Sequence, residues 1–114
     1  GAYDIAHGAG LSIVFPAWMK YVYKHNKDKF VQFAMRVFDV DFSFEDKDRI
    51  IFEMIERLEA WYLRMGLPIR LSHVNIGDER LREMADKCMV GRTHVGNFVQ
   101  LKADDVYEIY KLAL

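Results

Sequence analysis

The sequence is short of the residues that would place it in several common classes. One cysteine, Cys88, stands among 114 residues; it excludes an internal disulfide and fits a reducing cytoplasm. Two prolines and seven glycines supply no linker, and no repeat or low-complexity tract occurs. No charge of one sign prevails: 16 basic against 17 acidic residues give a net charge of −1. With no basic run, the footprint of a nucleic-acid-binding protein is missing. No basic region precedes the first apolar stretch, so no signal peptide is read. Leu11 to Tyr23 is apolar, but it falls short of the roughly 20 residues of a membrane span, and Lys20 interrupts it. No membrane segment is expected.

What remains is rich in core-forming material. Hydrophobic residues make up 52% and aromatics 14%, which excludes a disordered chain. A chain of this length suits one domain, residues 1–114, since domains most often run to about 100–150 residues.

The apolar pattern is helical almost throughout. A first helix over about Ile5 to His25 is apolar nearly all round, the mark of a buried helix, and Pro16 is expected to kink or restart it. Asn26 is a candidate N-cap for a second helix with core face Phe30, Phe33, Ala34, Val37 and Phe38. Ser43, with Glu45 and Asp46 behind it, is the expected N-cap of the longest helix. The stripe of that helix is Ile50, Ile51, Met54, Ile55, Leu58, Trp61, Tyr62 and Met65; Glu53 and Arg57 pair on its polar side. Gly66 ends it and Pro68 prevents its resumption. A fourth helix after Gly77 aligns Leu81, Met84, Ala85 and Cys88, and a fifth aligns Val106, Ile109, Tyr110 and Ala113. Only Phe98 to Leu101 alternates like a strand. The expected fold is all-α, about five helices, with Trp18, Phe33, Leu58, Trp61 and Ile109 inside.

Candidate chemistry is sparse. The run His7-Gly8-Ala9-Gly10 lacks both the Walker pattern and a preceding strand, so it is no phosphate loop. No serine stands in a nucleophile elbow, and Cys88 on an apolar helix face reads as a structural thiol. None of His7, His25, His73 and His94 pairs with another at three- or four-residue spacing, so no helix presents two metal ligands on one face. His25, His73 and His94 read as capping or solvated residues. His7 differs in preceding small residues, which let other groups approach its ring closely.

The run Tyr3-Asp4-Ile5-Ala6-His7-Gly8-Ala9-Gly10-Leu11-Ser12-Ile13-Val14-Phe15-Pro16 resembles a signature region of the iron-containing alcohol dehydrogenases, closest to their butanol-dehydrogenase-like branch. Ala17 to Tyr21, Gly66 to Leu71, Asn75 to Asp78 and Asp105 to Tyr110 extend the resemblance along the chain in the family's order. The resemblance implies the C-terminal helical portion of a dehydroquinate-synthase-like, iron alcohol dehydrogenase fold. It implies that His7 is the last of a metal site's ligands in chain order, with one aspartate and two histidines lying upstream. The implied cofactors of the parent enzyme are a divalent metal, iron or zinc, and NAD(P), and the implied substrate is a small alcohol or aldehyde. The missing N-terminal nucleotide-binding domain is the implied partner. Such a piece alone is expected to be inactive and to bind neither cofactor tightly, since one imidazole does not hold a catalytic metal. A local departure from the family is Lys102, where relatives carry a capping hydroxyl. The competing reading is a self-sufficient helical interaction module without catalysis. The apolar circumference of the first helix leads to an expectation of self-association that buries part of Leu11 to Tyr23.

Overall fold

The structure, a computed structural model, describes residues 7–41, 46–90 and 98–114, with side chains from residue 10 onward. Among the described residues five α-helices form: α1 His7–Val22, α2 Lys27–Val37, α3 Lys47–Arg64, α4 Leu81–Cys88 and α5 Ala103–Leu112. No strand forms among the described residues, so the alternation at Phe98 to Leu101 does not build a sheet. The all-α expectation holds.

Helix α1 is the axis of the fold. It lies between α3 and α5 and runs antiparallel to both, as three sets of contacts show. Lys20 meets Glu59, and Tyr23, just past the end of α1, packs edge-on against Phe52, two turns back in α3. At the other flank the hydroxyl of Tyr21 reaches Asp105 at the start of α5. Near the start of α1, the Ser12 hydroxyl donates to the carbonyl of Pro68. That loop leads to Leu71, whose amide donates to the carbonyl of Ala113 at 2.7 Å.

Of the two expectations for Pro16, the restart does not occur: α1 is continuous from His7 to Val22 with Pro16 inside it and fully buried. An internal proline costs about 3 kcal/mol. Burial of Ile13, Ala17, Met19 and Val22 on the same helix outweighs this at roughly 1.5–3 kcal/mol for each large side chain. Only at Tyr23–His25 does the helix tighten into a 3-10 turn. Asn26 then caps α2 as expected, accepting from the Lys29 amide at 3.2 Å.

Helices α2 and α3 run side by side in the same direction. At their N-terminal ends Lys27 pairs with Asp48 at 2.8 Å and Lys47 pairs with Asp28, a reciprocal clamp. Ten residues on, Arg57 donates to the carbonyls of Phe38 and Asp39 at 2.6 and 3.2 Å. Val40, just past the end of α2, is buried. Asp46 caps α3 through the Arg49 amide at 3.1 Å. The expected Ser43 cap and Glu45 lie outside the described residues, as do Gly91, Gly96 and His94. The Glu53–Arg57 pair forms at 3.3 Å, and Gly66 leaves α3 with φ of 78°.

The core contains Ile50, Ile51, Met54, Ile55 and Leu58 of α3, Leu81 and Ala85 of α4, Val106 and Ile109 of α5, and Ala113 just past its end. Two of the five expected interior residues, Leu58 and Ile109, are buried, and Trp18 is partly so. Phe33 and Trp61 are not: they remain 37% and 46% exposed. On α2 the buried line is Phe30, Val31 and Ala34, one row away from Phe33 and Val37. Trp61 stands beside the C-terminal end of α2, where it lines an apolar hollow with Val37 and Phe38 instead of packing into the core. Helix α1, expected to carry uncovered apolar surface, packs one side against the chain's own helices; Leu11 is its one large exposed hydrophobic among the described residues, while Phe15 and Trp18 stay partly buried.

One carboxylate ties the bundle together. Glu59 is only 8% exposed and lies between Lys20 of α1, at 3.4 Å, and Arg70 of the loop after α3. Substituting Glu59→Ala leaves two half-buried cations facing each other. Removing one partner of a buried pair costs about 3–5 kcal/mol, and the partial exposure of Lys20 and Arg70 brings the expected loss to roughly 2 kcal/mol. Urea unfolding measures it; a midpoint equal to that of the unsubstituted protein would contradict the central place given to this triad.

Candidate functional site

His7, the residue singled out from the sequence, is the first residue of α1. Its side chain lies outside those described; its place in the fold is set by the anchoring of the helix it opens. Ser12 is fully buried, and its bond to Pro68 fixes the first turns of α1 against the loop of residues 66–69. The left-handed turn at Gly66 positions that loop, with the Leu67 amide donating to the carbonyl of Tyr62 at 2.9 Å. The end of the bundle that carries His7 is thus closed by the 66–69 loop and by the C-terminal end of α5.

Among the described residues, His25 and His73 are not brought to His7 as a ligand set, and His94 lies outside them. His25 closes the 3-10 turn at the opposite end of α1. His73 lies nearer the loop, but its Nδ1 accepts from the Ile69 amide at 3.3 Å, a capping role that occupies one ring nitrogen. Among the described residues no group of three or more His, Cys, Asp or Glu could hold a metal. Cys88 is half-buried at the end of α4 and forms no disulfide.

The electrostatics at the far end of α1 are ordered by Asp105. Its carboxylate accepts from the Lys102 amide at 2.8 Å and from the Tyr21 hydroxyl at 2.6 Å. This supplies the start of α5 that Lys102, having no acceptor of its own, cannot cap with its side chain. The Lys102 amide, followed by the Tyr21 hydroxyl, holds the Asp105 carboxyl below the usual range. In return, the bond to Asp105, aided by burial and by neighbouring carboxylates, pushes Tyr21 up to about 12.

Sequence reading missed the Glu59 triad and Ser12. Two signals were present: Lys20 inside an apolar run, and Glu59 at the edge of an apolar stripe next to Leu58. Neither names its partner, because Glu59 is 39 positions from Lys20 and 11 from Arg70.

A five-helix bundle with a His-Gly pair opening its central helix is the frame in which the family resemblance can be tested. The chain belongs to the iron-containing alcohol dehydrogenases: residues 1–114 match the family described as "Fe-containing alcohol dehydrogenase family, C-terminal". It is 40% identical over 112 residues to the probable NADH-dependent butanol dehydrogenase 1 of Bacillus subtilis, covering 98% of this chain and 29% of that protein. It is 35% identical over 112 residues to the NADH-dependent butanol dehydrogenase A of Clostridium acetobutylicum; 96% of this chain and 28% of that protein are covered. The crystal structure of NADH-dependent butanol dehydrogenase A from Thermotoga maritima superposes with a TM-score of 0.87 at 39% identity, over 98% of this chain and 29% of that one. The aldehyde reductase YqhD from E. coli shares the fold at 23% identity, with a TM-score of 0.89 over 98% of this chain and 29% of that one. The chain therefore spans less than a third of the length of these relatives. No helix among the described residues is long and apolar enough to cross a membrane.

The Tyr21–Asp105 bond generates a pH prediction. A tyrosine whose pKa is raised on folding contributes stability that is complete below its unfolded pKa and is lost as the pH rises through its folded one. The loss should therefore fall between pH 10, the ordinary tyrosine value, and about 12. Asp105 behaves oppositely, its contribution fading as the pH falls below the ordinary carboxylate range. Melting temperatures measured across pH should show an alkaline decline that Tyr21→Phe flattens. An unchanged alkaline limb in that variant would count against the bond.

Proposed function

We propose that the chain is the C-terminal helical part of an alcohol dehydrogenase that interconverts alcohols with aldehydes or ketones using NAD(P), and that His7 is one ligand of its divalent metal, iron or zinc. The observation that supports this best is the family match along the whole chain, in which the His-Gly pair opens the central helix. NADH is the cofactor in the names of the butanol dehydrogenases it resembles.

His7 is the right kind of donor, since a neutral imidazole suits both iron and zinc. A catalytic metal takes about three protein ligands, so the others come from outside this segment. When bound, the metal would supply Lewis acidity at the substrate oxygen, making an alcohol easier to deprotonate as NAD(P) takes the hydride. The chain's own contribution is positional. Helix α1 is braced on both flanks, and Ser12 fixes its first turns, so the backbone at His7 is held by buried contacts. Ligands supported in this way lose less freedom when a metal binds.

The test uses the full-length protein that contains this segment. His7→Ala is expected to reduce bound metal, measured by elemental analysis, and to lower kcat for alcohol-dependent NAD(P) reduction by more than about 100-fold. The 114-residue chain alone is expected to show no such turnover, because cofactor and substrate must be positioned together. Full metal content and activity in the His7→Ala enzyme would remove His7 from the site. No turnover in the intact protein with any alcohol would favour the helical interaction module instead.

A further inference from the structure

The outer side of α1 and α2 carries a groove that the functional reading does not use. Its floor is aromatic: Phe15 stacks on Trp18 at 5.9 Å, and Trp18 meets Phe30 and Phe98 at 6.2 and 5.9 Å. Phe33 and Val37 of α2 continue the lining, and the cavity holds about 450 Å³. Val37 is 61% exposed and also borders a second apolar hollow beside Trp61. Apolar surface this continuous is uncommon on a protein, and among the described residues nothing is seated against it.

The rim says what the occupant is. Lys29 and Arg36, seven residues apart on α2, line the groove and so stand roughly 10 Å apart along the helix. The Lys29 ammonium rests 5.5 Å from the centre of the Phe98 ring. Arg36 is steadied by the Gln32 amide oxygen, at 3.0 and 3.2 Å from its two Nη atoms when that amide is turned to satisfy both groups. Neither cation meets a carboxylate among the described residues, although nine other ion pairs form there. The lining positions on α1, Phe15, Trp18 and Met19, and on α2, Lys29, Gln32, Phe33 and Arg36, lie on the three- and four-residue rows into which a third helix packs.

We infer that this groove seats an amphipathic helix of the same polypeptide, from the part of the parent protein outside residues 1–114, whose apolar face meets Trp18 and Phe33 and whose two acidic residues, about two turns apart, pair with Lys29 and Arg36. The inference rests on the reading of the chain as part of a longer dehydrogenase. It draws on the fact that relatives extend well beyond the 29% of their length that the chain covers. Helix-in-groove docking by apolar anchors supplies the binding, and the charge pairs set direction and register.

The experiment places a photo-crosslinking amino acid at Phe33 in the full-length protein and maps the joined peptide by mass spectrometry. The expected product is an intramolecular link to a helical segment with two acids seven residues apart. The double variant K29E/R36E is then expected to lower the melting temperature by roughly 2–4 °C, and converting the two mapped acids to lysine should restore it. A link to a second copy, to another protein or to a segment without acids overturns the inference, as does the absence of any link. So does a charge reversal that the second reversal fails to rescue. Alcohol-dependent reduction of NAD(P) by the unsubstituted protein, assayed separately, reports on the dehydrogenase reading whatever the crosslink shows.

Discussion

Glu59 stands where three parts of the chain meet, and the position of α1 depends on it. A carboxylate withdrawn from water is expensive unless positive groups and hydrogen bonds replace what it lost. Lys20 and Arg70 make that replacement, and in doing so they fix how far α1 slides along α3 and where the loop after α3 turns back. Hydrophobic contact alone would tolerate several registers, because methyl and methylene groups carry no direction. The ion triad selects one. The Ser12–Pro68 bond and the Tyr21–Asp105 bond then secure the two ends of the same helix.

This arrangement explains how a proline is accommodated in the middle of the most buried helix. Pro16 gives up a hydrogen bond and crowds the preceding turn, yet α1 is held on one side by α3, on the other by α5, and at both ends by polar contacts. A helix with fewer neighbours would break there. On the proposal that His7 is a metal ligand, the same bracing would hold the start of α1 in place, since metal ligands must meet within a few tenths of an ångström.

The bundle is also asymmetric in what it leaves uncovered. Its inner faces are closed around Ile13, Met19, Ile51, Met54 and Leu81, while the outer face of α2 and the end of α3 keep Phe33, Val37, Trp61 and Met65 at the surface. These residues belong to regular apolar stripes, and a stripe is normally matched by something.

The sequence by itself determined the helices, most of their ends and the family. Periodicity, the Asn26 cap and the Gly66 stop are local properties, written within a few residues of where they act, and the His-Gly motif and its companions keep their order whatever the packing. The tertiary structure alone decided which apolar positions are inside. Phe33 and Trp61 satisfy the helical pattern as well as Leu58 does, but burial depends on what packs against each position: Phe33 lies one row off the buried line of α2, and Trp61 stands beside the end of that helix. It alone decided that α1 continues through Pro16, because the compensation comes from α3 and α5. It also joined Lys20, Glu59 and Arg70, since an ion pair across 39 residues leaves no spacing to read: charge complementarity is a property of the folded surface, and the chain shows only its separate halves.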